Sequence, residues 1–112
     1  MSRKIKTKEF IDSIISTNEF IQLKKAKAII DRNKDLKKKV DDFRKKQTEI
    51  YSSKKTQKDM QYRLAELNKQ FQSLSQIQEV DIFFKSSKEF NDMMFKVFKE
   101  INDSVDSKLN SK

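Results

Sequence analysis

Apolar residues recur along this chain every three or four positions, the spacing of one face of an α-helix, and nowhere alternate for long in the manner of a strand. The first run, about 5–15, gathers Phe10, Ile11, Ile14 and Ile15 on one side. Ser16-Thr17-Asn18-Glu19 then reads as a capping box, with Ser16 three residues before Glu19, and predicts a second helix over about 17–32. That helix carries Phe20, Leu23, Ala26 and Ile30 on its apolar face. Asn33 offers the next N-cap, with Asp35 in the following first turn.

In the third helix, about 34–53, Leu36, Val40, Phe43, Gln47 and Ile50 step by four, three, four and three. At about 100° per residue they cover an arc of only about 80°, a narrow coiled-coil-like seam. Ser52 to Asp59 holds no apolar residue, and the seam that resumes at Met60, Leu64, Leu67, Phe71 and Leu74, on a helix over about 58–74, is out of phase with the first. A turn within 52–59 that folds the two into a long antiparallel hairpin explains both facts, and one continuous helix is the competing reading. Gln47 is the polar exception in the seam; enclosed there, it must find partners or lose about 1–3 kcal/mol. It reads either as a satisfied amide that fixes helix pairing or as a recognition contact.

The last helix, about 76–107 and capped by Ser73 or Ser75, differs from the rest. Its apolar residues, among them Val80, Phe83, Phe84, Phe90, Met94 and Phe98, spread over about 220° of the wheel, and the charged ones occupy only about 120°. So wide a face needs cover on two sides, first from the chain's own hairpin and then from something else. A second copy is the simplest occupant, as a homodimer or higher oligomer.

Composition narrows the function classes. Leu, Ile, Val and Phe make up 30 of 112 residues, enough for a core although 38% of residues are charged. Gly and Pro are both absent, which suits helices and leaves no phosphate-cradling loop or dinucleotide fingerprint. Without His there is no His-based triad or zinc site, and without Cys there is no disulfide, thiolate nucleophile or iron–sulfur ligation. Asp41-Asp42 is the most obvious carboxylate pair, but adjacent helical residues point about 100° apart and both lie among lysines as i,i+4 partners. No enzyme activity, metal or cofactor is expected. Met1 to Lys6 leads into no apolar stretch, and the longest apolar runs are Ile82-Phe83-Phe84 and Met93-Met94-Phe95, so neither a signal peptide nor a membrane span is expected. A reducing, cytoplasmic setting fits the absence of Cys.

Of the net charge of +9, most falls between Lys24 and Lys46, where eleven basic residues face four acids. Lys24, Lys25, Lys37, Lys38, Lys45 and Lys46 form a candidate basic patch for an acidic protein or for weak, salt-sensitive binding to RNA or to an anionic membrane surface. No aromatic stacking platform interleaves with it, and the bland reading is a solubilising outer surface.

Asn18-Glu19-Phe20, Ala26 within Lys24-Lys25-Ala26-Lys27, Leu36, then Phe43-Arg44-Lys45-Lys46-Gln47, and Val80 to Phe84 opening a long apolar helix together resemble the YlbF/YmcA family of small helical bacterial proteins. The resemblance spans about Lys8 to Val105. It implies an oligomeric helical bundle from a low-GC Gram-positive bacterium and a non-enzymatic accessory role in competence, sporulation or biofilm control. It also implies, for some members, a part in a complex that adjusts messenger RNA processing by a membrane-associated endoribonuclease. Members that carry an iron–sulfur cluster use Cys, which this chain lacks, so a cluster-dependent role does not carry over. The Pro often found before the last helix and the Gly of the middle turn are replaced by Ser75-Gln76 and Lys54-Lys55-Thr56.

The resulting expectation is an all-α helical bundle, one domain over 1–112, that self-associates and binds a protein partner. Its interface is expected at Phe43, Gln47, Phe83, Phe84, Phe90, Met94 and Phe98, and an RNA-associated accessory protein using the basic segment is the alternative.

Overall fold

A computed structural model describes residues 3–52 and 56–111. Among them are five α-helices and no strand: α1 (Arg3–Ile15), α2 (Asn18–Arg32), α3 (Lys34–Ser52), α4 (Gln57–Ser75) and α5 (Gln78–Leu109). The chain is all-α. With no Gly, no described residue takes a positive φ, and the helices end within right-handed geometry.

Side chains set the helix starts. The Phe20 amide donates to Thr17 Oγ1 at 3.2 Å, so Thr17 caps α2. This corrects the expectation for Ser16, whose hydroxyl instead donates back to the Ser13 carbonyl at 3.0 Å. Asn33 caps α3 as its position predicts, with Oδ1 accepting from the Asp35 and Leu36 amides at 3.1 and 3.2 Å. α3 stops at Ser52, and Thr56, extended at φ −63° and ψ 156°, accepts from the Asp59 amide to start α4. The chain therefore does not run on as one helix through this region, although residues 53–55 of the expected turn lie outside the described residues. α5 begins without either predicted serine cap: Ser73 and Ser75 belong to α4, and the Asp81 amide takes the Ile77 carbonyl at 2.9 Å.

Contacts divide the chain into two compact units, Ala26–Phe84 and Met1–Lys25 with Lys85–Lys112. In Ala26–Phe84, α3 packs against α4. Phe43, Phe71 and Phe84 form an aromatic cluster, with ring centroids 5.2 Å apart for Phe71 and Phe84, 5.4 Å for Phe43 and Phe84 and 6.0 Å for Phe43 and Phe71. The Arg44 guanidinium lies 5.3 Å from the Phe83 ring centroid, a cation–π distance.

Every buried apolar residue among those described falls in this unit: Ala26, Ile30, Leu36, Val40, Phe43, Ile50, Leu67, Leu74, Val80 and Phe83. Most of them are the seam positions of α3 and α4, as a shared apolar stripe requires. Among the described residues, the unit of Met1–Lys25 and Lys85–Lys112 has no fully buried apolar side chain. Its closest aromatic contact joins Phe20 and Phe90, at 6.0 Å between centroids.

Candidate interaction surface

α5 is 32 residues long, about 48 Å at 1.5 Å per residue. At about 100° per residue, Val80, Phe83, Met94, Phe98, Ile101, Val105 and Leu109 fall within an arc of about 80°, one stripe along the whole helix. Exposure along that stripe rises towards the C-terminus of α5. Val80 and Phe83 are buried, Met94 is half-buried, and from Phe98 onwards the stripe is open, with Phe98 53%, Val105 52% and Leu109 76% exposed. Phe95, beside it, is 72% exposed. A run of large apolar side chains over four turns facing water is what a surface awaiting cover looks like.

α1 adds apolar exposure to the same unit. Phe10, Ile11 and Ile15 are exposed and Ile14 is half-buried, as is Phe20 at the start of α2. A shallow groove of about 440 Å³ in this unit is lined by Asn18, Glu19, Glu89, Asp92, Met93 and Lys96, a mixed polar rim around one methionine.

The residues expected at the interface separate into two groups. Phe98 is exposed, and Phe90 and Met94 are half-buried. Phe43 and Phe83 are buried core residues, and Phe84 is held in the aromatic cluster, so these three hold the fold rather than present a free face. Gln47 is exposed, so water meets its amide and the demand for buried partners lapses. Ile101, Val105 and Leu109 are exposed on the same stripe, although they were not among the residues expected at the interface. Met94, Phe98, Ile101, Val105 and Leu109 step by four, three, four and four to the end of α5.

The basic residues Lys24, Lys25, Lys37, Lys38, Lys45 and Lys46 are all exposed. They divide between the units, Lys24 and Lys25 in one and the other four in the other. Part of the charge is answered within its own helix: Lys27 pairs with Asp31 at 2.7 Å, Lys39 with Asp35 at 3.3 Å and Lys37 with Asp41 at 3.7 Å. In the unit of Ala26–Phe84 an open groove of about 560 Å³ lies between α3 and α4, with Ile50 and Leu67 as its apolar floor and Lys46, Glu49, Arg63 and Glu66 at its edge. Charges of both signs there favour neither an anion nor a cation. Among the described residues no group of three His, Cys, Asp or Glu has a metal-holding arrangement, and no helix is long and apolar enough to cross a membrane.

These features define an all-helical protein whose candidate sites are faces of helices. The chain belongs to the family described as control of competence regulator ComK, YlbF/YmcA, which matches residues 5–106. Comparisons with curated proteins and with solved structures give no significant match. The family is one of regulatory accessory proteins that act in protein complexes, and membership implies a regulatory role in competence control. This member has no cysteine.

Proposed function

We propose that the chain is a non-enzymatic, cytoplasmic regulatory subunit that self-associates and binds a protein partner through the unit of Met1–Lys25 and Lys85–Lys112. The observation that carries this reading is the distribution of burial: the buried apolar residues among those described all lie within Ala26–Phe84, and the other unit keeps Phe10, Ile11, Phe95, Phe98, Val105 and Leu109 in water. In this reading the two units make one domain, and α3 and α4 form an antiparallel hairpin. Support for the hairpin comes from Phe43, at the middle of α3, meeting Phe71, near the end of α4, and from Ile50, near the end of α3, sharing a groove with Tyr62 and Leu67 earlier in α4. Multi-angle light scattering at tens of micromolar tests self-association. A mass of at least two chains is expected, and a strict monomer rejects it.

A second reading rests on the lysines of α3. Lys38, Lys45 and Lys46 are exposed and make no ion pair among the described residues, so they are available to phosphates. Titration against single-stranded RNA at two salt concentrations decides it: phosphate contact requires affinity that falls steeply with salt, and absence of binding at low salt removes the reading.

A further inference from the structure

We propose that the groove between α3 and α4 holds one nucleotide of single-stranded RNA, its base stacked on Tyr62 and its phosphate held by Lys46, Arg63 and Lys69. The proposal rests on the second reading above and adds the place, the strandedness and the contacts.

A basic surface without an aromatic face attracts phosphates but gives a base nothing to lie on. No stacking platform interleaves with the lysines of 24–46 in the sequence, and the fold supplies one from another helix. Tyr62 of α4 lines the same groove as Lys46 of α3. It is 69% exposed, so a base reaches it without displacing packed protein. Tyr51 is as open, at 71%, but does not line the groove. The groove, about 560 Å³, lies within the range of about 300–1,000 Å³ usual for small ligands, and Ile50 and Leu67 give it an apolar floor.

The charges around it disfavour a simple ion of either sign and suit a nucleotide, which is anionic at one end and rich in N–H donors at the other. Lys46 and Arg63 take part in no hydrogen bond or ion pair among the described residues, and Lys69 meets Glu66 only at 3.9 Å. These three cations are available to a phosphate. Glu49 and Glu66 repel a bare phosphate but accept hydrogen bonds from a base edge. The Glu49 carboxylate has no partner among the described residues. Guanine presents N1–H and N2–H side by side, a match for one carboxylate, whereas uracil has a single N–H there. A duplex already stacks and pairs its bases, so only an unpaired strand has a face free for Tyr62.

Strands of about twelve nucleotides, within the site sizes of single-strand binders, are titrated into the full chain at low salt. Tyr62→Ala is expected to weaken binding of an alternating guanine–uracil strand about five- to a hundredfold, the worth of one stacked base. Tyr62→Phe is expected to keep the affinity, and Tyr51→Ala to leave it unchanged. An RNA duplex of the same length is expected to bind the parent chain and Tyr62→Ala alike. No loss at Tyr62→Ala overturns the proposal and leaves the groove to another occupant, such as a helix of a protein partner. An equal loss at Tyr51→Ala, or an equal loss with the duplex, overturns it too. Lys46→Gln is expected to lower the slope of log affinity against log salt by about one, and an unchanged slope overturns the phosphate contact. Glu49→Gln is expected to abolish the preference for the guanine-containing strand over an all-uracil strand, and a retained preference overturns the contact to the base edge. All four substituted side chains are exposed, and circular dichroism melts check that each variant folds as the parent does. If the parent chain binds no strand at low salt, the RNA reading itself is removed, which is a separate failure from an indifferent Tyr62.

Discussion

Val80 has no solvent exposure, so the methyl groups of its side chain touch only protein. Val80→Ala is expected to cost about 2 kcal/mol, the transfer free energy of two carbons plus part of a cavity, measured by urea unfolding followed by circular dichroism. Gln47→Ala, by contrast, is expected to change stability by less than about 0.5 kcal/mol in the same assay, because its amide is already hydrated. Sequence spacing puts Gln47 at the centre of the α3 seam, but spacing gives a direction around the helix axis and not the presence of a neighbour there. The α2 cap shows a related limit. Ser16 and Thr17 are adjacent hydroxyl residues that both satisfy the chemistry of a cap, and only the backbone path decides that Thr17 faces the Phe20 amide. Asn33 had no such rival and was readable directly.

At the scale of the element, the ion pairs along the helices contribute little. Lys8–Asp12, Lys27–Asp31, Lys37–Asp41 and Lys88–Asp92 are exposed i,i+4 pairs with the base N-terminal to the acid, the weaker orientation against the helix dipole. Repulsion within a chain of net charge +9 opposes them and acts over a longer range. The expected result is that thermal stability rises, not falls, as sodium chloride is raised from low to physiological levels, followed by circular dichroism melts. A fall would mean that the pairs outweigh the repulsion. Element type and number were legible because each helix carries a continuous three- and four-residue rhythm, and the break between α3 and α4 was legible because Ser52 to Asp59 lacks any apolar side chain. The start of α5 was not, since Ile77 leads into the helix with a bare backbone carbonyl and carries no capping side chain to read.

For the whole molecule, the wheel of α5 states that the helix is apolar over a wide arc and is silent on which part of its length is covered. That is why Phe83, Phe84 and Phe98 looked equivalent in the sequence and differ in the fold: the first is enclosed, the second is held among rings, and the third faces water. The double variant Phe98→Asp with Val105→Asp separates assembly from folding. It is expected to keep the helical circular dichroism signal and the melting midpoint within a few degrees of a monomeric reference, and to lower the light-scattering mass to that of one chain. Loss of helix instead would mean that these side chains support the fold of the subunit itself.

The bare stretch of α5 also bears on the life of the protein in a cell. Chaperones and proteases choose their clients by contiguous apolar side chains that a finished assembly would hide. A copy synthesised in excess of whatever shields Phe95 to Leu109 displays that signature continuously, and one that is shielded does not. On the association proposed above, surplus chains are expected to be removed until supply matches the surfaces available to receive them.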